Sequence, residues 1–497
     1  MDSGQGWFST GPFAARKTIE NGAGLTPVSP LRIMAELEFH GAAQEVTGSM
    51  HVLHLEEGPV AMDCGLFQGK RRESRDRNLV FPLDPKRLHS VLLSHAHMDH
   101  SGNIPGLVHR GFGGKVFATP ATVDLCNVML ADSAKIQEED AKYWNKKRAA
   151  GPEDFIEPLY TLEDAAATRP HFVGVPYDTP VEFAPGCRAT YIDAGHILGS
   201  ACILVEIDQP RPLRLLYTGD LGRFDMPILR DPAVPLPPVD YLITESTYAD
   251  RRHPEPTDLE EQLVWIINQT RSAGGKIIIP SFSVGRTQTI LYYLNRAITA
   301  GLLEPLPIFV DSPLSTNATD IFKKHPECYD AQATELSSHN GGLFDNDAIH
   351  YVTDVGESKQ LNDRKDSCVI ISSSGMCEAG RILHHLKNNV ENEANTVIIV
   401  GFQAQHTLGR RIVERREEIK IYGRLYKLLC RVEVLNGFSA HADADDFVRC
   451  LAPLAPHLKA AFVVHGEGTQ PLALQKILQA AGCPRVEIPA PGDRFEL

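Results

Sequence analysis

The segment HAHMDH at residues 95–100 constrains this chain more than any other feature of its sequence. It follows the apolar run SVLLS, which is typical of a buried strand, so its side chains stand where a strand ends. Imidazole and carboxylate groups together suit Zn²⁺, and no thiolate lies nearby to suggest a structural cysteine site. So dense a set of ligands indicates two metal ions rather than one. The alternative is a solvated polar loop, which the density and placement of these groups disfavour.

Further ligands should come from the ends of other strands. His196 in DAGHILGSA and Asp220 in LYTGDLG both stand where a strand gives way to a glycine turn. Asp63 in AMDCG has a similar position and could orient the ligands without binding the metal itself. Each of these residues alone could be a turn or capping residue. Their shared placement with HAHMDH favours a common site.

The chain contains two styles of sequence. From Leu37 to about Thr244, short strands alternate with turn signals and are interrupted by one helix predicted over residues 121–148. From about residue 250, apolar strands alternate with amphipathic helices, which indicates a parallel open sheet. Ligands bind at the carboxyl ends of such strands, where this chain has SFSVGR, DSP, SSSGM and GFQAQH. KLLCRVEVLNGFSAHAD and AAFVVHGE then return to the first style, so we expect one domain inserted within another.

Composition excludes several classes of protein. The 497 residues carry a formal net charge of −14, which disfavours a long basic stripe that coats nucleic acid but leaves room for a local basic groove. No apolar run approaches the ~18 residues of a membrane span, and the N-terminus lacks the apolar core of a secretory signal. The ten cysteines contain no CxxC pair, so we expect a cytoplasmic protein without a membrane partner.

The histidine and aspartate motifs resemble the metallo-β-lactamase fold of metal-dependent hydrolases. TESTYAD at 244–250, NGFSAHAD at 436–443 and VVHGE at 463–467 are similar to three further motifs of its β-CASP branch, the nucleic-acid-processing nucleases. PSFSVGRTQ, VDSPLS, SSSGMCEAGR and QHTLGR resemble other segments of that branch. The resemblance covers about residues 35–497. It implies an α/β fold, a metallo-β-lactamase αββα sandwich with an inserted β-CASP domain.

The resemblance also implies how the chain divides. We expect a flexible N-terminal extension over 1–34, the first part of the metallo-β-lactamase domain over 35–249, the β-CASP domain over 250–435, and a return segment of the metallo-β-lactamase domain over 436–497. A homodimer is compatible with this organisation.

The resemblance assigns roles to the site residues. Two Zn²⁺ would be bound, the first by His95, His97 and His196 and the second by Asp99, His100 and His465, with Asp220 bridging both. Asp99 counts among the catalytic residues as well as the ligands. His441, held by Glu245, would be the general acid that protonates the leaving oxygen. An ordinary surface pair is the alternative for Glu245 and His441.

Position 465 bears on the choice of nucleic acid, because a histidine there marks the RNA-directed members of the branch. The candidate RNA phosphate contacts are Ser372, Ser373, Ser374 and Gly375, where we predict that SSSGM opens a helix, together with Arg410 and Arg411. The alternatives are a plain helix cap and a solvated helix face. The mixed-charge segment KRRESRDR at 70–77 is predicted to be a solvated loop, and His406 stands where many members have a small residue.

The leading hypothesis is therefore a zinc-dependent ribonuclease that hydrolyses RNA phosphodiester bonds by a two-metal mechanism, in RNA processing or decay. A small-molecule metallo-hydrolase acting on a lactone, thioester or β-lactam would fit the metal motif alone, but such a substrate does not need the inserted domain. A non-catalytic RNA-binding scaffold is disfavoured by the intact ligand set. The sequence leaves endonuclease and 5′→3′ exonuclease activity equally open.

Overall fold

The computed structural model describes residues 35–69, 71–148, 155–208, 211–253, 257–337, 342–401, 403–404 and 406–497. The extension expected over residues 1–34 lies outside the described residues. The described strands form two seven-stranded sheets, one six-stranded sheet and a two-stranded hairpin. The α/β fold expected from the sequence is confirmed.

The strands follow the apolar runs of the sequence. In chain order they are β1 (Glu36–Gly41), β2 (Met50–Leu55), β3 (Gly58–Met62), β4 (Ser90–Leu92), β5 (Lys115–Ala118), β6 (Phe172–Gly174), β7 (Val181–Ala184), β8 (Cys187–Asp193), β9 (Ala201–Ile207), β10 (Leu213–Tyr217), β11 (Tyr241–Thr244), β12 (Ile277–Pro280), β13 (Ile308–Val310), β14 (Ile349–Tyr351), β15 (Val369–Ser372), β16 (Thr396–Ile399), β17 (Glu418–Ile421), β18 (Arg424–Lys427), β19 (Arg431–Val434), β20 (Ala460–Val463), β21 (Val486–Glu487) and β22 (Arg494–Glu496).

The helices include the long one predicted over 121–148, which spans Pro120–Arg148. In chain order they are α1 (Arg71–Asn78), α2 (Met98–Ser101), α3 (Ile104–His109), α4 (Pro120–Arg148), α5 (Leu162–Ala167), α6 (Thr257–Ser272), α7 (Arg286–Thr299), α8 (Pro313–Lys324), α9 (Ala331–Ser337), α10 (Val355–Asp363), α11 (Ile382–Asn389), α12 (Leu408–Val413), α13 (Ala444–Leu451) and α14 (Gln470–Ala480).

The first two sheets face each other across a common apolar core. Their strand orders are β22-β1-β2-β3-β4-β5-β6 and β21-β20-β11-β10-β9-β8-β7. Phe39 and Phe495 from the first sheet meet Tyr191 and Phe462 from the second in this core, and all four are almost fully buried. Helices α13 and α14 cover the outer face of the second sheet, and α3 and α4 cover that of the first. The order of layers is therefore helix, sheet, sheet, helix.

The third sheet has the order β14-β13-β15-β12-β16-β19, and every neighbouring pair is parallel, as the alternation of strands and helices predicts. Because side chains alternate along a strand, Ile277 and Ile279 of β12 enter one apolar cluster and Ile278 enters the cluster on the opposite face. Helices therefore cover both faces, and the carboxyl ends of the strands form an open rim.

Three local expectations were wrong. The alternating polarity of KLLCRVEV resembles that of the strands in the first half of the chain, but β19 pairs with β16 in the third sheet. It lies at an edge of that sheet, where a strand is less completely covered and its side chains alternate in polarity. SSSGM does not open a helix, because Ser374 accepts hydrogen bonds from Glu378 and Ala379 in a turn and α11 begins only at Ile382. KRRESRDR is not a loop: residues 71–78 form α1, which the Asn78 side chain ties to the Phe67 backbone.

The third sheet is joined to the first through their helices. Helix α8 packs against α4, and the buried His325 contacts Asp124 at 3.1 Å and Glu327 at 2.6 Å. Gly285, at the rim of the third sheet, lies next to Ile197, since a Cβ added at Gly285 would be in ordinary van der Waals contact with Ile197 Cγ2 at 3.5 Å. The rim of the third sheet therefore borders the edge of the first two sheets where the metal ligands were predicted.

Candidate metal centre

The predicted site residues meet at one edge of the two packed sheets, where six strands end. The strands and the residues that follow them are β3 with Asp63, β4 with His95, β8 with His196, β10 with Asp220, β11 with Glu245 and β20 with His465. His441 reaches the same edge through a β-bridge to Gly222. The structure therefore brings together every residue that we predicted to bind metal or transfer a proton.

One set of donor atoms comes from His95, His97, His196 and Asp220. His97 Nδ1 lies 3.1 Å from His95 Nε2 and 3.3 Å from His196 Nε2. Asp220 Oδ2 lies 3.5 Å from both His95 Nε2 and His196 Nε2. Three imidazole nitrogens and one carboxylate oxygen thus surround a common point.

A second set comes from Asp99, His100, His465 and the other oxygen of Asp220. His100 Nε2 lies 3.2 Å from His465 Nε2 and 3.3 Å from Asp220 Oδ1. His465 Nε2 lies 3.5 Å from Asp99 Oδ2. Asp220 therefore offers one oxygen to each set, as the role of a bridging ligand requires.

The spacing of the donor atoms fits bound metal ions. Tetrahedral ligands at the usual zinc–nitrogen distance are separated by about 3.3–3.4 Å, and the donor atoms here are 3.1–3.5 Å apart. In addition, Asp220 Oδ1 is buried and accepts no hydrogen bond, which is costly for a carboxylate unless a cation faces it. The residues present are therefore suited to two divalent ions.

Asp63 fixes the second set from behind. It is fully buried, and its Oδ2 accepts hydrogen bonds from His100 Nδ1 at 2.6 Å, from the Tyr217 hydroxyl at 2.6 Å and from Ser94 Oγ at 2.8 Å. Its Oδ1 accepts the backbone N–H of Ser94 at 2.7 Å. With Nδ1 held in this way, the His100 ring turns Nε2 towards Asp220 and His465. The structure thus places Asp63 in contact with His100, and its role in orienting that ligand stays a prediction.

Glu245 and His441 form a pair beside the first set. His441 Nδ1 donates to Glu245 Oε1 at 3.2 Å, and Glu245 also accepts the backbone N–H groups of Leu221 at 2.8 Å and Thr247 at 3.1 Å. Glu245 is fully buried, so this pair is not an ordinary surface contact. Burial opposes a charge on His441, but the carboxylates of Glu245, Asp220 and Asp99 together outweigh burial and raise the pKa of His441 to about 9.

Two turns at this edge depend on backbone conformations that favour glycine. Gly219 has φ = 54°, and a Cβ there would lie 2.6 Å from Ser94 Cβ, so the turn before Asp220 has no room for a side chain. His465 itself has φ = 47°, and its backbone N–H donates to Ala42 at 2.6 Å. A ligand held in the left-handed region is an unusual arrangement that the surrounding hydrogen bonds maintain.

The predicted phosphate contacts lie on the rim of the third sheet and differ in how far their side chains are exposed to a ligand. The hydroxyl of Ser372 is buried and donates to the Asp311 backbone, and Gly375 is also buried. Ser373 and Ser374 are half-buried, and the Ser373 hydroxyl lies 3.0 Å from that of Ser312. Only these two serines of the segment present side chains to a ligand.

Arg410 and Arg411 line a cavity of about 560 Å³ beside this rim, together with the exposed His406. Arg410 pairs with Glu414 at 3.0 Å. Arg411 is exposed, and no carboxylate of the described residues pairs with it. Arg411 is therefore the better placed of the two arginines to bind an anion.

Sequence reasoning missed two residues near the site. Tyr217 ends a strand and looks like a core residue, but its hydroxyl holds Asp63. Arg286 begins α7, where its guanidinium donates to the Val400 carbonyl and contacts the Phe438 ring, and no carboxylate of the described residues pairs with it. Burial lowers the pKa of Arg286 to about 10, so the group stays charged at neutral pH. Its position directly after Gly285, in the segment SFSVGR between β12 and α7, was the available signal.

Comparisons with known families agree with this site. Residues 287–412 match the model of the Beta-Casp domain, and residues 425–490 match that of the Zn-dependent metallo-hydrolase RNA specificity domain. The fold and the donor sets define a metal-dependent hydrolase of the metallo-β-lactamase type.

Individual relatives cover most of the chain. It is 36% identical over 448 residues to a ribonuclease of Thermus thermophilus, an alignment that covers 89% of this chain and 95% of that protein. It is 30% identical to an RNase J-like protein of Methanocaldococcus jannaschii, over 88% of this chain and 94% of the relative. It is also 30% identical to the transcription termination factor FttA of the same organism, over 87% of this chain and 67% of the relative. The chain therefore belongs to the β-CASP family of RNA-processing nucleases within the metallo-β-lactamase superfamily.

A solved structure supports the fold alone. A protein of unknown function from Enterococcus faecalis superimposes with a TM-score of 0.55 at 14% identity, covering 93% of this chain and 100% of the other. No helix among the described residues has the length and apolar character needed to cross a bilayer.

Proposed function

We propose that this protein is a zinc-dependent ribonuclease that hydrolyses RNA phosphodiester bonds at the paired donor sets. The observation that carries the proposal is the division of Asp220 between the two sets, with Oδ2 among three histidines and Oδ1 against His100. His95, His97 and His196 would hold one Zn²⁺ and Asp99, His100 and His465 the other. Two ions bound there would supply an activated water and stabilise negative charge on the phosphate.

His441 is the proposed general acid. Its Nδ1 donates to Glu245, which leaves Nε2 to carry the proton that the leaving oxygen needs. Glu245 holds the ring through a carboxylate that two backbone N–H groups fix in turn. This arrangement is suited to phosphodiester hydrolysis, because the leaving oxygen of the ribose is a poor leaving group until it is protonated.

RNA is the proposed substrate because the rim beside the metal edge carries cations without carboxylate partners in the described part of the chain. Arg286 supplies one such charge beside Phe438, and Arg411 supplies another in the cavity that it lines with His406. These groups could bind successive phosphates, which position a strand without reading its sequence. The names of the relatives, a ribonuclease and a transcription termination factor, support the same substrate.

We assign residues 35–249 and 436–497 to the metallo-β-lactamase domain and 250–435 to the inserted β-CASP domain. The support is that β11 and β20 are parallel neighbours in one sheet although the whole third sheet lies between them in sequence. We also propose a cytoplasmic location, since all ten cysteines are buried and unpaired, as in a reducing compartment. The homodimer stays a prediction.

The test is single-turnover cleavage of a labelled RNA by the purified protein, with the zinc content measured in parallel. Asp220→Ala should lose both zinc and cleavage, because both donor sets lose an oxygen. His441→Ala should keep two zinc ions and cleave about 10²- to 10⁴-fold more slowly. His384→Ala, an exposed histidine on α11, is the matched control and should change neither quantity. Absence of zinc from the wild-type protein, or full activity of His441→Ala, would contradict the proposal.

A further inference from the structure

Phe282 is an exposed aromatic residue on a polar rim. It follows β12 at the carboxyl end of the third sheet and is 42% exposed, whereas its neighbours Ser281 and Ser283 are buried. An apolar ring of this size gains free energy when it is covered, so its exposure needs a reason. Isolated apolar residues on a surface are common, and the position and support of this ring distinguish it from them.

Hydrogen bonds of the Phe282 backbone and packing against Gly375 fix the position of the ring. The carbonyl of Phe282 accepts hydrogen bonds from the Thr287 hydroxyl at 2.8 Å and from the Thr287 backbone N–H at 3.3 Å. The ring rests on Gly375, where an added Cβ would lie 2.8 Å from Cδ2 and 3.0 Å from Cε2 of Phe282. One side of the ring is therefore packed, and a ligand that covers the other side loses little entropy in ordering it.

Two other exposed aromatic residues, Trp265 and Tyr422, have partners that Phe282 lacks. The guanidinium of Arg431 lies 4.8 Å from the ring of Trp265, and the ring of His384 lies 5.0 Å from that of Tyr422. In the part of the chain that the structure describes, no aromatic ring and no cation makes such a contact with the Phe282 ring. The open side is thus available to a planar ligand.

The ring also stands beside the site. The loop that carries Phe282 continues to Gly285, where an added Cβ would be in van der Waals contact with Ile197, the residue after His196. On its other side the loop is bonded to the serine segment, since the Ser281 backbone N–H donates to the Ser372 carbonyl at 3.0 Å. Phe282 therefore lies on the loop that connects the serine segment with the residue next to His196.

We propose that Phe282 is a stacking platform for one unpaired base of the RNA substrate. The inference rests on the proposed ribonuclease function. Bases of single strands stack on aromatic side chains whatever their identity, because each base has a π-face. A paired base is stacked within its duplex and cannot reach the platform, so the base that stacks on Phe282 belongs to an unpaired segment of the RNA.

The test compares Phe282→Leu, Phe282→Trp and the control Trp265→Leu by kcat/KM on a single-stranded RNA. Phe282→Leu keeps an apolar side chain without a π-face and should lose about 5- to 100-fold, as expected for one stacked base. Phe282→Trp should stay within a few-fold of the wild type, and Trp265→Leu should be unchanged. A series of RNAs with one abasic nucleotide should show a single position whose loss matches that of Phe282→Leu. With the RNA that lacks the base at that position, Phe282→Leu should lower kcat/KM no further than the substitution alone or the missing base alone.

A second readout does not depend on cleavage. The added tryptophan fluorescence of Phe282→Trp, measured against the wild type, should fall when RNA binds, and should fall less when the abasic nucleotide occupies the sensitive position. Equal kcat/KM for Phe282→Leu and wild type on every RNA, or additive losses at each abasic position, would overturn the platform. A wild-type protein that cleaves no RNA would instead contradict the proposed function, so the two failures are distinguishable.

Discussion

Replacement of Asp63 by asparagine tests whether the centre is held from behind as the structure indicates. The carboxylate is fully buried, and its Oδ2 is the acceptor for His100 Nδ1, the Tyr217 hydroxyl and Ser94 Oγ. An asparagine can keep the Ser94 backbone bond through its carbonyl oxygen, but its NH₂ group donates and cannot replace Oδ2. Three buried donors therefore lose their acceptor at once.

The size of the effect follows from these contacts. The Tyr217 hydroxyl can turn to Ser49 Oγ, which lies 3.1 Å away, so two donors remain unsatisfied. At about 1–3 kcal/mol for each, the zinc-free protein should lose about 2–6 kcal/mol of its free energy of unfolding. Loss of the bond that orients a ligating histidine should also weaken zinc binding at the His100 set by about 10- to 100-fold.

The assay is a zinc titration of the metal-free protein against a competing chelator, paired with urea unfolding in the absence of zinc. Asp63→Asn should show one zinc bound nearly as in the wild type and one bound more weakly. Tyr217→Phe is the matched control, because it removes one donor and keeps the carboxylate. It should cost about 1 kcal/mol of stability and leave both zinc affinities unchanged. If Asp63→Asn binds two zinc ions with wild-type affinity, the orienting role of Asp63 is refuted.

Three other substitutions probe separate parts of the chain. Glu245→Gln should retain two zinc ions but lower the single-turnover rate by about 10²- to 10⁴-fold, because His441 loses the carboxylate that holds its proton. An unchanged rate would exclude Glu245 and His441 from catalysis. Arg286→Met should weaken the binding of RNAs of every sequence and reduce the slope of log Kd against log salt concentration by about one. A loss of affinity limited to some RNA sequences would show that Arg286 does not bind phosphate. Burial opposes a negative charge on Glu38, but the contacts with His40, His54 and Arg494 outweigh burial and hold the pKa of Glu38 below its ordinary value. The ionised carboxylate therefore stabilises the fold above about pH 4.5, and this stabilisation is lost as the pH falls. Glu38→Gln should therefore lower Tm at pH 7 more than at pH 4, and an equal change at both values would contradict that assignment.

The sequence predicts the metal edge well because most of its residues stand at or just after the end of an apolar strand. His196 follows β8 and Asp220 follows β10, and both strands are antiparallel to β9 between them, so their carboxyl ends lie at the same edge of the sheet. The sequence predicts poorly where a contact decides the structure. Nothing in LYTGD shows that the Tyr217 hydroxyl is needed by Asp63, because an aromatic residue at that point also fits a plain core.

Local structure without an apolar pattern was equally hard to predict. Helix α1 contains no apolar residue, and tertiary contacts of Asn78 and Arg77 hold it, the latter with Glu45 at 2.7 Å. The turn after β15 depends on Ser374 bonds to its own loop, which compete with the helix that the composition of SSSGM favours. The strands that carry the site were thus predictable, whereas the loops that present it to a substrate were not.

The acidic character of the chain bears on how metal and RNA binding are connected. Asp63, Asp99, Asp220 and Glu245 place four carboxylates within the site, and these carboxylates raise the pKa values of His100, His441 and His465, so without metal the two signs of charge largely offset each other. Two divalent ions would make the centre positive, and Arg286 and Arg411 could then act with it on a phosphate. Metal and RNA should therefore bind cooperatively, and by linkage each must raise the affinity of the other by the same factor. The test is to measure RNA affinity with and without zinc on the slow His441→Ala variant. Equal affinities would show that only the rim binds RNA and that the net charge of −14 has no influence at the centre.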